Sequence, residues 1–336
     1  MRLSEFDYHL PEHLIAQTPL TKRDDSRLLV LNKKSGETKH KTFIDIIDYI
    51  KTEDLLIFND TKVSAYRLFG KKSTGAKVEC LITKKLGFNY YEAIVSPGRR
   101  LQDGSRFILD SNIEVEIESR LETGERKIRF LSEEDVEPII KSVGQVPLPP
   151  YIHQKLDDYN RYQTVYAHEE GSIAAPTAGL HFTTELIEKI KEKGTKICFV
   201  TLHVGIATFR PIRTDNIDNH IMHSEDYFIP KETVEAVKNC KGKIIAVGTT
   251  STRALETAAL GKRNLKEGFS SSQLFIKPGF DFKIVDGLVT NFHIPKSSLL
   301  LLVSALSSKE NIFKSYQEAI ERRYRFFSFG DAMLII

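Results

Sequence analysis

Cysteine is scarce and scattered. The chain has three, Cys80, Cys198 and Cys240, and no C-x-x-C pair, which argues against a disulfide framework, a zinc ribbon or a thioredoxin-like redox site and fits a reducing cytoplasm. Net charge is almost missing too: 48 Lys and Arg against 45 Asp and Glu leave +3, too little for a histone-like polyanion binder, so any phosphate contact must come from a local patch. Long apolar runs are absent. Ser298 to Leu306 falls far short of the ~20 residues of a spanning helix, and Met1 to Gln17 carries Glu5, Asp7, His9, Glu12 and His13 where a signal peptide has its apolar core. Neither export nor membrane insertion is expected, and a cytoplasmic location is. Nucleotide motifs fail as well. No G-x-G-x-x-G follows a strand, no G-x-S-x-G elbow occurs, and GKKSTGAK at Gly70 to Lys77 has Ala76 where a phosphate-binding loop needs Lys. His220 and His223 lack the i, i+4 spacing and Glu partner of a helical zinc site, so no metal is expected.

What the chain does have is 336 residues with 41% hydrophobic and 28% charged content, enough for roughly two domains with sizeable cores. From Tyr66 to Phe130 the pattern is short alternating runs, at 77 to 82, 90 to 95, 113 to 118 and 127 to 130, separated by turn clusters such as Pro97-Gly98, Asp103-Gly104 and Thr123-Gly124. This reads as a small antiparallel barrel or sandwich inserted between Val63 and Pro147. Its charge is uneven: residues 63 to 100 hold eight Lys/Arg and two Asp/Glu, residues 101 to 147 six and eleven. The flanks alternate apolar runs with helix-period segments, an α/β signature. Strands are expected at 55 to 59, 197 to 204, 244 to 248 and 285 to 292, and helices at 43 to 50, 184 to 193, 232 to 240, 251 to 260 and 297 to 306. Gly194, Gly242 and Gly261 stand where helix C-caps belong. The stiff segment Pro147 to Pro150 marks the return from the insertion.

Polar residues crowd the expected strand ends: Asn59 to Lys62, Thr201 and His203, Thr249 to Arg253, and Thr290, Asn291 and His293. Ligands of open α/β sheets bind at carboxyl ends of strands, so these ends point to one shared pocket. The Gly248 to Arg253 turn lets backbone approach a ligand and offers a helix N-terminus to an anion; helix capping by Thr249 or Ser251 would explain only one of its polar residues. Ala174 to Thr183, AAPTAGLHFT, has the small residues of a pocket wall and delivers His181 to a helix start. A tight chain crossing would look the same. Near the C-terminus, ERRYRFFSF interleaves Arg322, Arg323 and Arg325 with aromatics, either an RNA grip or a helix end followed by a buried strand.

Taken together the sequence resembles the S-adenosylmethionine:tRNA ribosyltransferase-isomerase family of queuosine biosynthesis. The resemblance spans the chain and rests on DYHLPEHLIAQTP from Asp7, RDDSRLLVL from Arg23, FNDTKV from Phe58, LPPYI from Leu148, RYQTVYA from Arg161, AAPTAGLHFT, TLHVGIATFRP from Thr201, MHSE from Met222, VGTTSTRALE from Val247, VDGLVTNFHIPKSSLLLLVSA from Val285 and YRFFSFGDAML from Tyr324. Departures are Ala207 for an expected glycine, Ser298 for threonine and Phe329 for tyrosine. The resemblance implies an α/β main domain with a mixed sheet, residues 1–62 and 148–336, carrying an inserted antiparallel β-barrel at 63–147. It implies transfer and isomerisation of the ribosyl part of S-adenosylmethionine onto the 7-aminomethyl-7-deazaguanine wobble base of tRNA, giving epoxyqueuosine with adenine and methionine released; a monomer is expected.

Such chemistry needs one or two bases and an acid, and an acceptor amine made neutral from its ordinary pKa of ~10.4. It needs no enzyme nucleophile, so the cysteines are expected to be inert. The residues assigned to proton transfer are His181, His203, His293 and Asp60, with Glu225 and Asp331 behind them. Thr177, Gly179, Thr249, Thr250, Arg253 and Asn291 are assigned to substrate, and Arg322, Arg323, Arg325, Lys71, Lys72, Arg99 and Arg100 to RNA. A methyltransferase using the same donor, or a non-catalytic RNA-binding protein, are the alternatives.

Overall fold

The computed structural model describes residues 1–122, 124–205, 212 and 214–336. Ala207, most of the segment that follows Gly205, and Thr123 of the Thr123-Gly124 turn lie outside the described residues. The chain divides into two compact units, one of Met1–Lys62, Pro149–Glu169 and Ala175–Ile336, the other of Val63–Leu148 and Glu170–Ala174.

The second unit is a closed six-stranded antiparallel barrel, in the order Arg126–Phe130, Tyr90–Ser96, Lys77–Gly87, Tyr66–Lys71, Arg106–Leu109, Glu114–Arg120. Alternation along the strands turns Cys80, Phe107, Val115, Ile117 and Ile128 inward into a closed core. The strands Tyr66–Lys71 and Arg106–Leu109, not expected from the sequence, complete the closure. They approach so tightly that a Cβ on Gly70 would lie 2.4 Å from the Ile108 carbonyl oxygen. GKKSTGAK is a hairpin here: Lys72 N–H donates to the Ala76 carbonyl at 2.9 Å, and Gly75 turns at φ +81°.

In the first unit nine strands form one mixed sheet, in the order Gly268–Ser272, Glu225–Ile229, Lys196–Leu202, Leu55–Asn59, Ile244–Val247, Gly287–Asn291, Ala332–Ile335, Arg27–Leu31, Thr38–Thr42. The four central strands, Lys196–Leu202 to Gly287–Asn291, run parallel, and their carboxyl ends share one edge. The Glu225–Ile229 and Ala332–Ile335 strands run antiparallel to their central neighbours, so Glu225 and Asp331 come to that same edge from the other direction. On one face Leu56, Phe58, Val247 and Val289 pack with Phe43, Ala178, Phe182 and Leu186. The helix Thr249–Ala258 packs on the other. No helix among the described residues is long and apolar enough to cross a membrane.

Some local expectations fail for clear reasons. Residues 43 to 50 form a 3₁₀ helix, Phe43–Tyr49, because the buried pair Phe43 and Ile46 repeats every three residues. Gly194 ends its helix at φ +94°, but Gly242 keeps negative φ and is small because a Cβ would meet Asp54 Oδ1 at 2.4 Å. Gly261 lies in the strand Ala259–Gly261, so it caps nothing. Of the second reading of ERRYRFFSF only the helix end holds: the helix Lys309–Glu321 ends just before Arg322, but the next strand begins at Ala332; Tyr324, Phe326, Phe327 and Phe329 are buried all the same, which removes them as stacking platforms for bases.

Candidate active site

The sheet edge is built by alternation. Phe58, Val247 and Val289 share the face that carries Ala178 and Phe182, so Asp60 and Asn291, two residues further along their strands, point to that face as well. Asp60 sits between the Leu55–Asn59 and Lys196–Leu202 strands, where Thr201 Oγ1 donates to its Oδ1 at 2.7 Å. Desolvation raises its pKa above the ordinary carboxylate range, and the nearby Glu169 adds to this. Above it the Tyr166 hydroxyl is buried and has no hydrogen-bond partner among the described residues, its pKa pushed far up by burial and then by Asp60. Gly179 makes room for that hydroxyl, since a Cβ there would lie 1.9 Å from Tyr166 Oη. Thr177 shares the short 3₁₀ turn Thr177–His181.

His203 follows the Lys196–Leu202 strand. Its Nδ1 lies 2.8 Å from Thr61 Oγ1, and that hydroxyl donates to the Glu169 carbonyl at 3.5 Å. With the hydroxyl donating to that carbonyl, the tautomer assigned to the imidazole carries its proton on Nδ1 and its lone pair on Nε2. Burial lowers its pKa, while Asp226 and Glu169 pull it back up.

His181 is buried with both ring nitrogens engaged: Nδ1 meets Ser26 Oγ at 2.7 Å, and Nε2 receives the Asn291 amide at 3.1 Å. The ring stacks on Phe43 at 5.0 Å. Burial, then the charges of Arg23 and Arg325, drive its pKa down to about 3, so the ring is neutral and fixes the Asn291 amide. Asn291 also donates to the Phe327 carbonyl at 3.0 Å, while its Oδ1 is buried and unpaired among the described residues. His293 lies elsewhere. Thr290 points to the opposite face from Asn291; its hydroxyl meets His293 Nε2 at 2.8 Å, and the His293 N–H donates to Tyr316 Oη at 3.1 Å. Burial alone takes its pKa to about 3. The three histidines thus do not meet in one pocket.

On the Thr249–Ala258 side, Gly248 takes φ +95° as the N-cap and no side chain caps the helix. Ser251 and Thr252 bond back to the Val247 and Gly248 carbonyls at 2.7 and 3.2 Å, so the capping explanation of this polar run does not hold. Arg253 is buried, its Nη1 donating to Glu225 Oε2, while Glu225 Oε1 accepts the Gly205 N–H at 2.9 Å. Arg253 Nε and Nη2 and Thr250 Oγ1 are buried without partners among the described residues. Buried donors of this kind are otherwise almost always satisfied, and a carboxylate fits them. Glu225 is the fixed counter-charge of Arg253. Asp331 is likewise committed, bonded to Arg27 Nε and Nη2 at 3.2 and 3.0 Å and to the Arg325 N–H at 2.8 Å.

The arginines and lysines assigned to RNA fall into two sets. Lys71, Lys72, Arg99 and Arg100 gather on the barrel, where Lys72 Nζ donates to the Arg100 carbonyl at 2.9 Å. Arg322 and Arg323 are exposed in the first unit, Arg322 pairing with Glu318 at 3.3 Å. Arg325 is half-buried and holds the Thr18 carbonyl. Residues the sequence reading passed over are Tyr166 and Ser26, and Thr61 and Thr201 were noted at strand ends but given no role; each lies in or beside a quoted motif, but a single hydroxyl carries no spacing signal. Cys80 and Cys198 are buried, their thiols pushed up to about 12 and about 11. Among the described residues no group of three or more His, Cys, Asp or Glu could hold a metal ion.

A mixed α/β sheet with a half-buried carboxylate, an imidazole and unpaired buried donors along the carboxyl edge of its parallel strands, together with a closed barrel unit, defines an enzyme of the open-sheet α/β class. Over residues 3–335 the chain matches the family model described as queuosine biosynthesis protein, and it belongs to that family. Proteins of Halothermothrix orenii and Staphylococcus epidermidis named S-adenosylmethionine:tRNA ribosyltransferase-isomerase are 50% and 52% identical to it, with both chains fully covered. A solved structure described as the S-adenosylmethionine tRNA ribosyltransferase of Thermotoga maritima is 39% identical, covering 99% of this chain and 100% of that one, with a TM-score of 0.56.

Proposed function

We propose that this chain is an S-adenosylmethionine:tRNA ribosyltransferase-isomerase of queuosine biosynthesis. It moves the ribosyl part of S-adenosylmethionine onto the 7-aminomethyl-7-deazaguanine wobble base of tRNA and releases adenine and methionine. The observation that carries this reading is full-length relatedness to proteins of that name, and the sheet edge supplies groups suited to the steps. Asp60 is the base that takes the proton from the ribose carbon beside the sulfonium, because its raised pKa keeps a carboxylate basic enough to accept one. His203, through Nε2, serves the departing adenine or the incoming amine. Arg253 and the Thr249-Thr250 turn hold the methionine carboxylate, and Asn291, fixed by His181, the ribose side. Thr177 and Gly179, on the turn that packs against Tyr166, form a wall for the substrate. His293 supports the opposite face rather than the chemistry. The barrel lysines and arginines, with Arg322 and Arg323, contact tRNA phosphates. Cytoplasmic location follows from the tRNA substrate.

The test is product analysis with a tRNA anticodon stem-loop carrying the aminomethyl-deazaguanine. Free adenine and methionine with an RNA mass gain of one ribosyl unit are expected; S-adenosylhomocysteine and a methyl-sized gain would replace this reading with a methyltransferase.

A further inference from the structure

The chain contains a second concentration of positive charge that, among the described residues, has no carboxylate partner; of the residues assigned above to RNA only Arg325 lies near it. Lys22, Arg23 and Arg161 line a cleft that also reaches Ser26 and His181. Its guanidinium groups are anchored by backbone alone. Arg23 donates to the carbonyls of Leu180, Gln163 and Asn160 at 3.1, 2.8 and 3.2 Å, and Arg161 to those of Thr21 and Leu20 at 3.0 and 2.7 Å. None of the three cations has a carboxylate within ion-pair reach among the described residues, although Asp158 lies near enough to act on Arg23 through space. Among the described residues Arg161 Nε is buried and unpaired, and so is Nη1 of Arg325, whose charge acts with that of Arg23 on His181.

Holding like charges together at partial burial opposes folding. Burial and then Arg161 lower the pKa of Arg23, while Tyr166 and Asp158 act the other way. Carbonyl anchors fix where the guanidinium groups stand yet cancel none of their charge. The natural complement is a compact anion with several acceptor oxygens, and fork-like donors around it fit a phosphate group. The cleft ends at Ser26 and His181, and His181 holds Asn291 at the sheet edge. An anion bound there therefore lies next to the proposed chemistry.

We propose that this cleft binds a backbone phosphate of the tRNA substrate beside the nucleotide being modified, with Lys22, Arg23 and Arg161 as its ligands. The proposal rests on the ribosyltransferase reading and is tested by binding alone. Fluorescence anisotropy of the anticodon stem-loop would be followed across a salt titration for the wild type, Lys22→Gln, Lys22→Glu, Arg161→Gln and the control Lys238→Gln. Lys22 and Lys238 are both exposed, and the Lys22 side chain anchors nothing among the described residues, so its variants fold even if Arg161→Gln loosens the Leu20-Thr21 turn.

The slope of log K against log salt should flatten by about 0.7 to 0.9 for each cation removed from the cleft, with Lys238→Gln matching wild type. Equal slopes for Lys22→Glu and Lys238→Gln would overturn the contact, as would a wild type that does not bind the stem-loop. Saturable inhibition by inorganic phosphate at constant ionic strength, lost in Lys22→Glu without a change in RNA slope, would assign the cleft to free phosphate instead. Slope changes without the expected products would spare the contact and remove the ribosyltransferase reading; products without slope changes would do the reverse.

Discussion

Buried histidines that stay neutral tie the stability of this protein to pH. His181 and His293 have folded-state pKa values of about 3 against an ordinary 6.5, so below pH 6.5 the unfolded chain takes up protons that the folded chain refuses. Stability is therefore fully present above pH 6.5 and is lost as pH falls toward 3, by up to about 1.4 kcal/mol per pH unit for each histidine. Urea unfolding at pH 7, 6 and 5 should show this decline, and His293→Asn should make it shallower; a slope unchanged in that variant would mean the ring is already charged in the fold. At this scale the sequence showed which residues are unusual but not what each does. Three histidines beside small-residue loops stand out in the chain. Whether a ring faces Asn291 or Thr290 depends on which side of a strand the neighbouring residue takes, and the partners Ser26 and Thr290 are ordinary hydroxyls.

Among the elements, the helix Thr249–Ala258 carries the most consequence. It brings Arg253 onto Glu225 across the sheet edge and leaves two guanidinium nitrogens for a ligand. Arg253→Gln should cost about 3 to 5 kcal/mol, because Glu225 is then a buried, unpaired carboxylate. Adding Glu225→Gln should return most of that stability while KM for S-adenosylmethionine stays raised. Recovery of both in the double variant would make the pair purely structural. The four central strands were readable from sequence because each is an apolar run ending in polar residues. The edge strands Thr38–Thr42 and Gly268–Ser272 were not, since TKHKT and GFSSS contain little apolar surface to alternate. The helix Lys309–Glu321 also escaped, its buried side including Ser315 and Ala319 beside Ile312 and Tyr316.

For the whole molecule, the α/β sheet and the small β unit were legible from composition and turn spacing, and closure of the barrel was not, because it depends on two short strands and on Gly70. The expectation that the strand ends form one shared pocket gave way to a sheet edge with two faces, with Asn291 on one and Thr290 and His293 on the other. In the proposed mechanism proton transfer is centred on Asp60 and His203, and His181 acts only through Asn291. The most direct test is single-turnover kinetics of Asp60→Asn with saturating S-adenosylmethionine and the modified stem-loop, beside His293→Asn. Asp60→Asn should slow ribosyl transfer by roughly 10²- to 10⁴-fold with stem-loop affinity unchanged, and His293→Asn should stay within a few-fold of wild type. A near-normal rate for Asp60→Asn with a collapsed rate for His293→Asn would place the chemistry on the other face of the sheet.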